Sequence, residues 1–227
     1  MRQYWPIVFL ISQPLAAAEL QKNELLPVGI VTGGRAIGYS TGFLASKCHV
    51  LTVKHAAGKV AVVIGRRMKF RVIDGSHRIL SSSGTVIAAG NADNLQWRAT
   101  DRSGDWMVIA LDVCLGVTVG YIKLSKLAIE RSSNWHPGSN GFQLAGYPVG
   151  AGPWWSSYRL NRACHPAWIS REQIVTNCDS PAGFSGGPMM SEDPVTGQRL
   201  VFAMHSAILP GEYTKGRPSS IEVSTAP

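Results

Sequence analysis

Charge is scarce in this sequence. Of its 227 residues, 16% are Asp, Glu, Lys or Arg, against about 25% in an ordinary soluble domain. Acid is scarcer still: 14 Asp and Glu face 22 Lys and Arg, a formal net charge of +8. With 45% hydrophobic residues, such a chain is not a disordered tail, which would be poor in apolar residues and rich in charge. No apolar run reaches the roughly 18 residues of an ordinary membrane-spanning helix. Neither a glycine period nor an A/E/K/L/R bias is present, which excludes collagen and coiled coil. None of the four cysteines stands in a C-x-x-C pair, which argues against a zinc ribbon. H-E-x-x-H and EF-hand patterns are missing too. No internal repeat and no low-complexity segment is visible.

What the chain does have is strand chemistry. Helical periodicity is nearly absent, and short apolar or alternating runs recur between Gly, Pro, Ser and Asn. Strands are expected at Ala36–Leu44, Val50–Val53, Lys59–Ile64, Met68–Asp74, Thr85–Ala89, Trp106–Leu111, Phe142–Gly146, Ser156–Leu160, Ile174–Asn177, Pro188–Met190 and Arg199–Met204. That spacing predicts an all-β sandwich or barrels, as one large domain or two small ones. Asp193–Gly197 reads as a hairpin tip. The polar stretch Ser125–Asn140 would connect two halves. The densest basic run is Arg66, Arg67, Lys69 and Arg71. Lys69 and Arg71 alternate with Phe70 and Val72, as on the solvated face of a strand. No nucleic-acid module accompanies the run, so no nucleic-acid partner is expected.

The N-terminus has the layout of a secretory signal: Arg2, an apolar run from Trp5 to Ile11, then Ala16-Ala17-Ala18. The plain alternative is a buried N-terminal strand. If the signal is removed after residue 18, the formal charge falls by one, because the segment holds Arg2 and no acid. An even number of cysteines in an exported chain favours two disulfides. Cys48, Cys114, Cys164 and Cys178 allow three pairings, and their spacing does not choose among them.

Three distant segments carry chemistry. In Cys178-Asp179-Ser180-Pro181-Ala182-Gly183-Phe184-Ser185-Gly186-Gly187-Pro188, a serine is surrounded by glycines. Gly183 lets its N–H turn toward a bound oxygen, and the Ser185 N–H can complete a two-donor oxyanion hole. The run Val50–Val53 is followed by His55, whose near-neutral imidazole can take a serine's proton. Asp105 opens the apolar run Trp106–Leu111, where a carboxylate can fix the histidine tautomer. Each segment alone also has a plain reading: a Gly-rich turn, a structural histidine, a turn acid.

Together, the order His, Asp, Ser and the flanking residues resemble the chymotrypsin/trypsin-like serine proteases. T-G-F-L-A-S followed by H-V-L-T and His is most similar to the bacterial secreted glutamyl-endopeptidase branch. The resemblance spans about Gly38 to His205. It implies two antiparallel six-stranded β-barrels, 19–120 carrying His55 and Asp105 and 121–227 carrying Ser185, with the active site between them. It implies a serine endopeptidase in which His55 is general base, Asp105 its orienting acid and Ser185 the nucleophile. Gly183 and Ser185 would supply the oxyanion-hole amides. It further implies disulfides Cys48–Cys114 and Cys164–Cys178, a protein or peptide substrate, and a secreted or periplasmic monomer. Neither cofactor nor metal is expected.

The sequence departs from this family in two places. Its usual T-A-x-H is T-V-K-H, so Lys54 precedes the base, where it either points away or, aimed at His55, would lower that pKa. Phe184 stands where the animal digestive enzymes have an Asp that pairs with a freshly cut N-terminus, so that activation route is closed. Substrate preference has competing clues. Asp179 sits six residues before Ser185, like a pocket-floor acid selecting Arg or Lys. His205, just past Arg199–Met204, resembles the residue that receives glutamate, with Ser180 as hydroxyl partner. A purely structural Asp179 is the third option. Two rival functions also stand: a non-catalytic binding module on the same fold, and an esterase. The remaining histidines, His49, His77, His136 and His165, lack ligand spacing. Trp154 and Trp155 are expected in core or rim packing.

Overall fold

The computed structural model describes residues 25–33, 39–58, 63–91, 104–125, 142–150, 152–169, 173–193, 196–208 and 220–224. The expected leader at 1–18 and most of 125–140 lie outside them. Six strands come first: β1 (Val28–Thr32), β2 (Ser40–Leu44), β3 (His49–Thr52), β4 (Arg67–Ile73), β5 (Ile79–Ala89) and β6 (Met107–Leu111). They close into an antiparallel barrel in the order β1-β2-β3-β6-β5-β4. The pattern is the one the sequence advertises: Met68, Phe70 and Val72 point inward from β4 while Arg67 and Lys69 stay in water. Met107, Ile109 and Leu111 do the same from β6, and together these side chains fill the barrel interior. The basic run is thus a solvated strand face, with Arg67 paired to Asp112.

A short helical turn, α1 (Gly116–Val119), leads to β7 (Lys123–Leu124), which lies parallel to a strand of the second half. That half contains β8 (Phe142–Gly146), β9 (Arg159–Cys164), β10 (Pro166–Ile169), β11 (Gln173–Thr176), β12 (Pro188–Glu192), β13 (Arg199–Ile208) and β14 (Ser220–Ser224). Its ladders run β10-β11-β14-β13-β12-β8-β9. Only His165 separates β9 from β10, and a backbone bond from Asn177 N–H to the His165 carbonyl (3.1 Å) pins the bend to the end of β11. Counted as one bent strand, β9 and β10 bring the ladder back to its start. The second half is then a six-stranded barrel with β7 as an extra, and its order repeats that of the first. No sequence repeat announces this, because the two halves share connectivity and alternation rather than residues.

Several strands differ from expectation. β1 was not foreseen: Gly29 lies in its middle, and glycine weakens a strand signal. The glycine is needed there, since a Cβ would stand 2.0 Å from the Arg71 carbonyl of β4. β5 begins at Ile79 rather than Thr85, because ladders to β4 override the turn-like Ser81-Ser82-Ser83-Gly84 run. β7, β10 and β14 were also missed; β7 is only two residues long, β10 opens on a proline and carries a register shift, and the alternation of Ser220–Ser224 is short. The expected strand Lys59–Ile64 falls partly outside the described residues, and its end at Val63 and Ile64 is a turn. β13 runs on through His205, which is therefore inside the strand rather than past it. The hairpin at Asp193–Gly197 is present, closed by Gly197 N–H to Asp193 O at 2.8 Å.

A separate apolar cluster joins the barrels. Val28, Ile30 and Phe43 from the first meet Ala145, Tyr147, Met190 and Met204 from the second. Trp154 packs edge-on against Tyr147 at 5.6 Å, so its role is core packing; the Trp155 side chain lies outside the description.

Both expected disulfides are present, Cys48–Cys114 and Cys164–Cys178. They span 66 and 14 residues, and chain entropy alone assigns them about 4 and about 3 kcal/mol. Packing reverses that order. Cys164 and Cys178 are fully buried among Phe142, Met189 and Phe202, and losing each methylene-sized group there costs roughly 0.8 kcal/mol before any cavity term. Replacing Cys164 and Cys178 together by alanine should lower the thermal midpoint more than replacing Cys48 and Cys114. Scanning calorimetry of the two double variants decides it; a larger loss for Cys48 and Cys114 means loop closure dominates.

Candidate active site

β3 ends at Thr52, and the chain turns at once. Lys54–Ala57 form a single 3-10 turn closed by Gly58 N–H to His55 O at 2.9 Å. The fully buried Val53 and Ala57 anchor it, so His55 is held at the barrel rim with its side chain 32% exposed. The Lys54 ammonium runs inward and donates to the Gly90 carbonyl at 3.0 Å, which fastens the turn to the end of β5.

Asp105 lies two residues before β6 and has no solvent exposure. A buried carboxylate is expensive unless donors replace its water, and here they do. Oδ1 accepts the His55 backbone N–H at 3.1 Å, and Oδ2 meets His55 Nδ1 at 2.7 Å. Oδ2 also accepts the Ser206 hydroxyl at 2.5 Å. An ionised carboxylate only accepts, so the imidazole proton belongs on Nδ1 and Nε2 is left as the acceptor.

Ser185 lies in the turn before β12. Gly183 has φ +100° and Gly186 φ +88°, values that favour glycine. Phe184, between Gly183 and Ser185, is driven into the core of the second barrel beside Phe142 and Phe202. Phe184 N–H donates to Pro181 O at 3.1 Å and Gly186 N–H to His205 O at 2.7 Å. Among the described residues, the amides of Gly183 and Ser185 have no protein acceptor. The Ser185 hydroxyl is 3.5 Å from the Ser206 carbonyl and is not hydrogen-bonded to His55. Such bonds are commonly long in ligand-free sites and tighten on substrate binding.

No family model and no curated protein matches the chain. Among solved structures it is similar to a Glu endopeptidase in complex with MPD, at 17% identity over 88% of this chain and 85% of that one, TM-score 0.60. It is also similar to the thermostable serine protease AL20 from an extremophilic microorganism, at 14% identity over 87% and 90%, TM-score 0.59. Deg5 aligns at 16% identity over 90% and 86%, TM-score 0.56. The fold is that of the trypsin-like serine proteases.

In this trypsin-like fold the three segments singled out in the sequence converge between the barrels. His55 and Asp105 are bonded directly, and the Ser185 hydroxyl lies 3.5 Å from the carbonyl of Ser206, whose own hydroxyl reaches Asp105. Ser206 escaped the sequence reading. It is one small polar residue within β13, in no motif, and only the register shift between His205 and Ala207 sets it apart. The pocket residues divide. Chain alternation after β11 buries Cys178 and Ser180 and turns Asp179 out to solvent. Asp179 is exposed, and its carbonyl accepts Asn161 Nδ2 at 3.3 Å. Ser180 and His205 are both 2% exposed, and the Ser180 hydroxyl has no hydrogen-bond partner among the described residues. No cluster of metal-ligating side chains occurs among them either.

Ser206→Ala removes a 2.5 Å bond to a fully buried carboxylate. Leaving that oxygen under-satisfied should cost about 1–3 kcal/mol. Urea unfolding of the variant is the check, and an unchanged midpoint would show that Asp105 is stabilised without Ser206.

Proposed function

We propose that the chain is an exported serine endopeptidase. The observation that carries this reading is the buried Asp105 carboxylate, which holds His55 by Nδ1 and is tied through Ser206 to Ser185. In the proposed reaction Ser185 Oγ attacks the scissile carbonyl and its proton passes to His55 Nε2. The tetrahedral oxyanion sits on the Gly183 and Ser185 amides. His55 then gives the proton to the leaving amine, and water hydrolyses the acyl-enzyme by the same steps in reverse roles. Asp105 stabilises the transient imidazolium without itself taking the proton. Two disulfides fit an oxidising compartment. Likeness to proteases of known structure supports the same reading.

Labelling with an active-serine phosphonate tests it. Wild type should label and digest casein, while Ser185→Ala should do neither, with a loss of at least about 10⁴-fold in turnover. Folded wild type that never labels sinks the peptidase reading, and ester hydrolysis without casein cleavage would replace it with the esterase.

For substrate, an acidic residue before the scissile bond is the reading we favour. His205 and the unpartnered Ser180 hydroxyl offer donors to a carboxylate, whereas the exposed Asp179 is poorly placed to hold a guanidinium in a dry pocket. One of the similar structures is a Glu endopeptidase. A positional-scanning peptide library should return Glu, then Asp, at that position. A preference for Arg or Lys, or a flat profile, would overturn the proposal.

A further inference from the structure

Thr41 belongs to the T-G-F-L-A-S motif, yet the proposed chemistry gives it no task. It is fully buried in β2 of the first barrel, and its N–H and hydroxyl are spent on the second. The Thr41 N–H donates to the Gly183 carbonyl at 3.1 Å, and its hydroxyl donates to the same oxygen at 2.7 Å. That hydroxyl also accepts the Tyr147 N–H at 3.0 Å. The Thr41 carbonyl accepts the Thr52 hydroxyl at 2.7 Å, and Thr52 ends the strand that leads to His55. The same carbonyl closes off Gly186, where a Cβ would stand 2.0 Å from it. One residue of the first barrel therefore grips the oxyanion turn at Gly183 and abuts it again at Gly186, on either side of Ser185.

An oxyanion hole works only if its donors are aimed before charge develops. Gly183 has no side chain to hold its own backbone, and at φ +100° it has other conformations open to it. Its orientation must come from partners of the adjoining carbonyls. The Ala182 carbonyl is held by the Val149 N–H at 2.7 Å, and the Gly183 carbonyl by Thr41 alone among the described residues. We propose that Thr41 is a positioning residue for the oxyanion hole, its hydroxyl fixing the Gly183 peptide so that the Gly183 and Ser185 amides converge on one point. This rests on the reading of Ser185 as the nucleophile.

Thr41→Val keeps shape, β-branching and the backbone bond but removes the hydroxyl. Thr41→Ser keeps the hydroxyl and loses a methyl. The test measures kcat and KM on a chromogenic peptide amide of the library's best sequence, and the inhibition constant of the matching peptide aldehyde, whose hemiacetal oxygen occupies the hole. Phosphonate titration counts competent sites in each preparation. Thr41→Val should lose about 10- to 100-fold in kcat per titrated site, less than the roughly 10²–10³-fold of deleting a donor outright. KM should stay within about twofold, and the aldehyde should weaken by the factor that kcat/KM falls. Thr41→Ser should stay within about threefold of wild type. An unchanged kcat, an unchanged aldehyde affinity, or a serine variant as impaired as the valine one would overturn the proposal. If the valine variant does not fold, Thr41→Ala removes the same hydroxyl and is read by the same criteria. A wild type that neither labels nor turns over fails instead at the Ser185 premise and takes this proposal with it.

Discussion

A carboxylate with no water contact sits between the two barrels, and most of the site is arranged around its needs. Asp105 contributes nothing to a hydrophobic core and would be costly there without donors. Two of those donors come from His55 on the first barrel and one from Ser206 on the second. Satisfying the charge thus requires the His55 turn, the start of β6 and the middle of β13 to be in place at once. The arrangement orients the imidazole as a by-product of solving a burial problem. That tautomer and that ring position are set before any ligand arrives.

The barrels are joined by two kinds of contact with different jobs. Apolar side chains such as Ile30, Phe43, Tyr147 and Met204 supply the area that holds the halves together, but apolar contact is non-directional and tolerates small slides. Register comes from the polar contacts at the seam: Thr41 to Gly183 and Tyr147, Tyr39 OH to the Pro148 carbonyl at 2.8 Å, and Ser206 to Asp105. These bonds have narrow geometry, so they fix the relative position of the two barrels on which the proposed site depends.

The extent to which the sequence was legible follows from how local each signal is. The β4 and β6 strands were readable because alternation alone places Phe70 and Ile109 inward. His55, Asp105 and Ser185 stood out as candidates because each lies in a distinctive local run, and the order of those runs resembles a family. Ser206 and Thr41 did not, because their roles are bonds to residues 101 and 142 positions away. β1 was hidden for the same reason, since the demand for Gly29 comes from the Arg71 carbonyl on another strand. The exposure of Asp179 was not legible, because its spacing from Ser185 says nothing about which face of an extended chain it occupies.

The sequence by itself determined a charge-poor, all-strand chain, its two-barrel design by resemblance, and the three residues proposed for catalysis. Those features rest on short-range patterning and on motif chemistry, both written within a few residues. Only the tertiary structure decided that the second barrel repeats the connectivity of the first, that Ser180 and His205 are buried while Asp179 is not, and that Thr41 and Ser206 bind the barrels together at the site. The physical reason is the same throughout. A buried polar group must find a partner, and which partner it finds is settled by strands that meet in space, far from their neighbours in the chain.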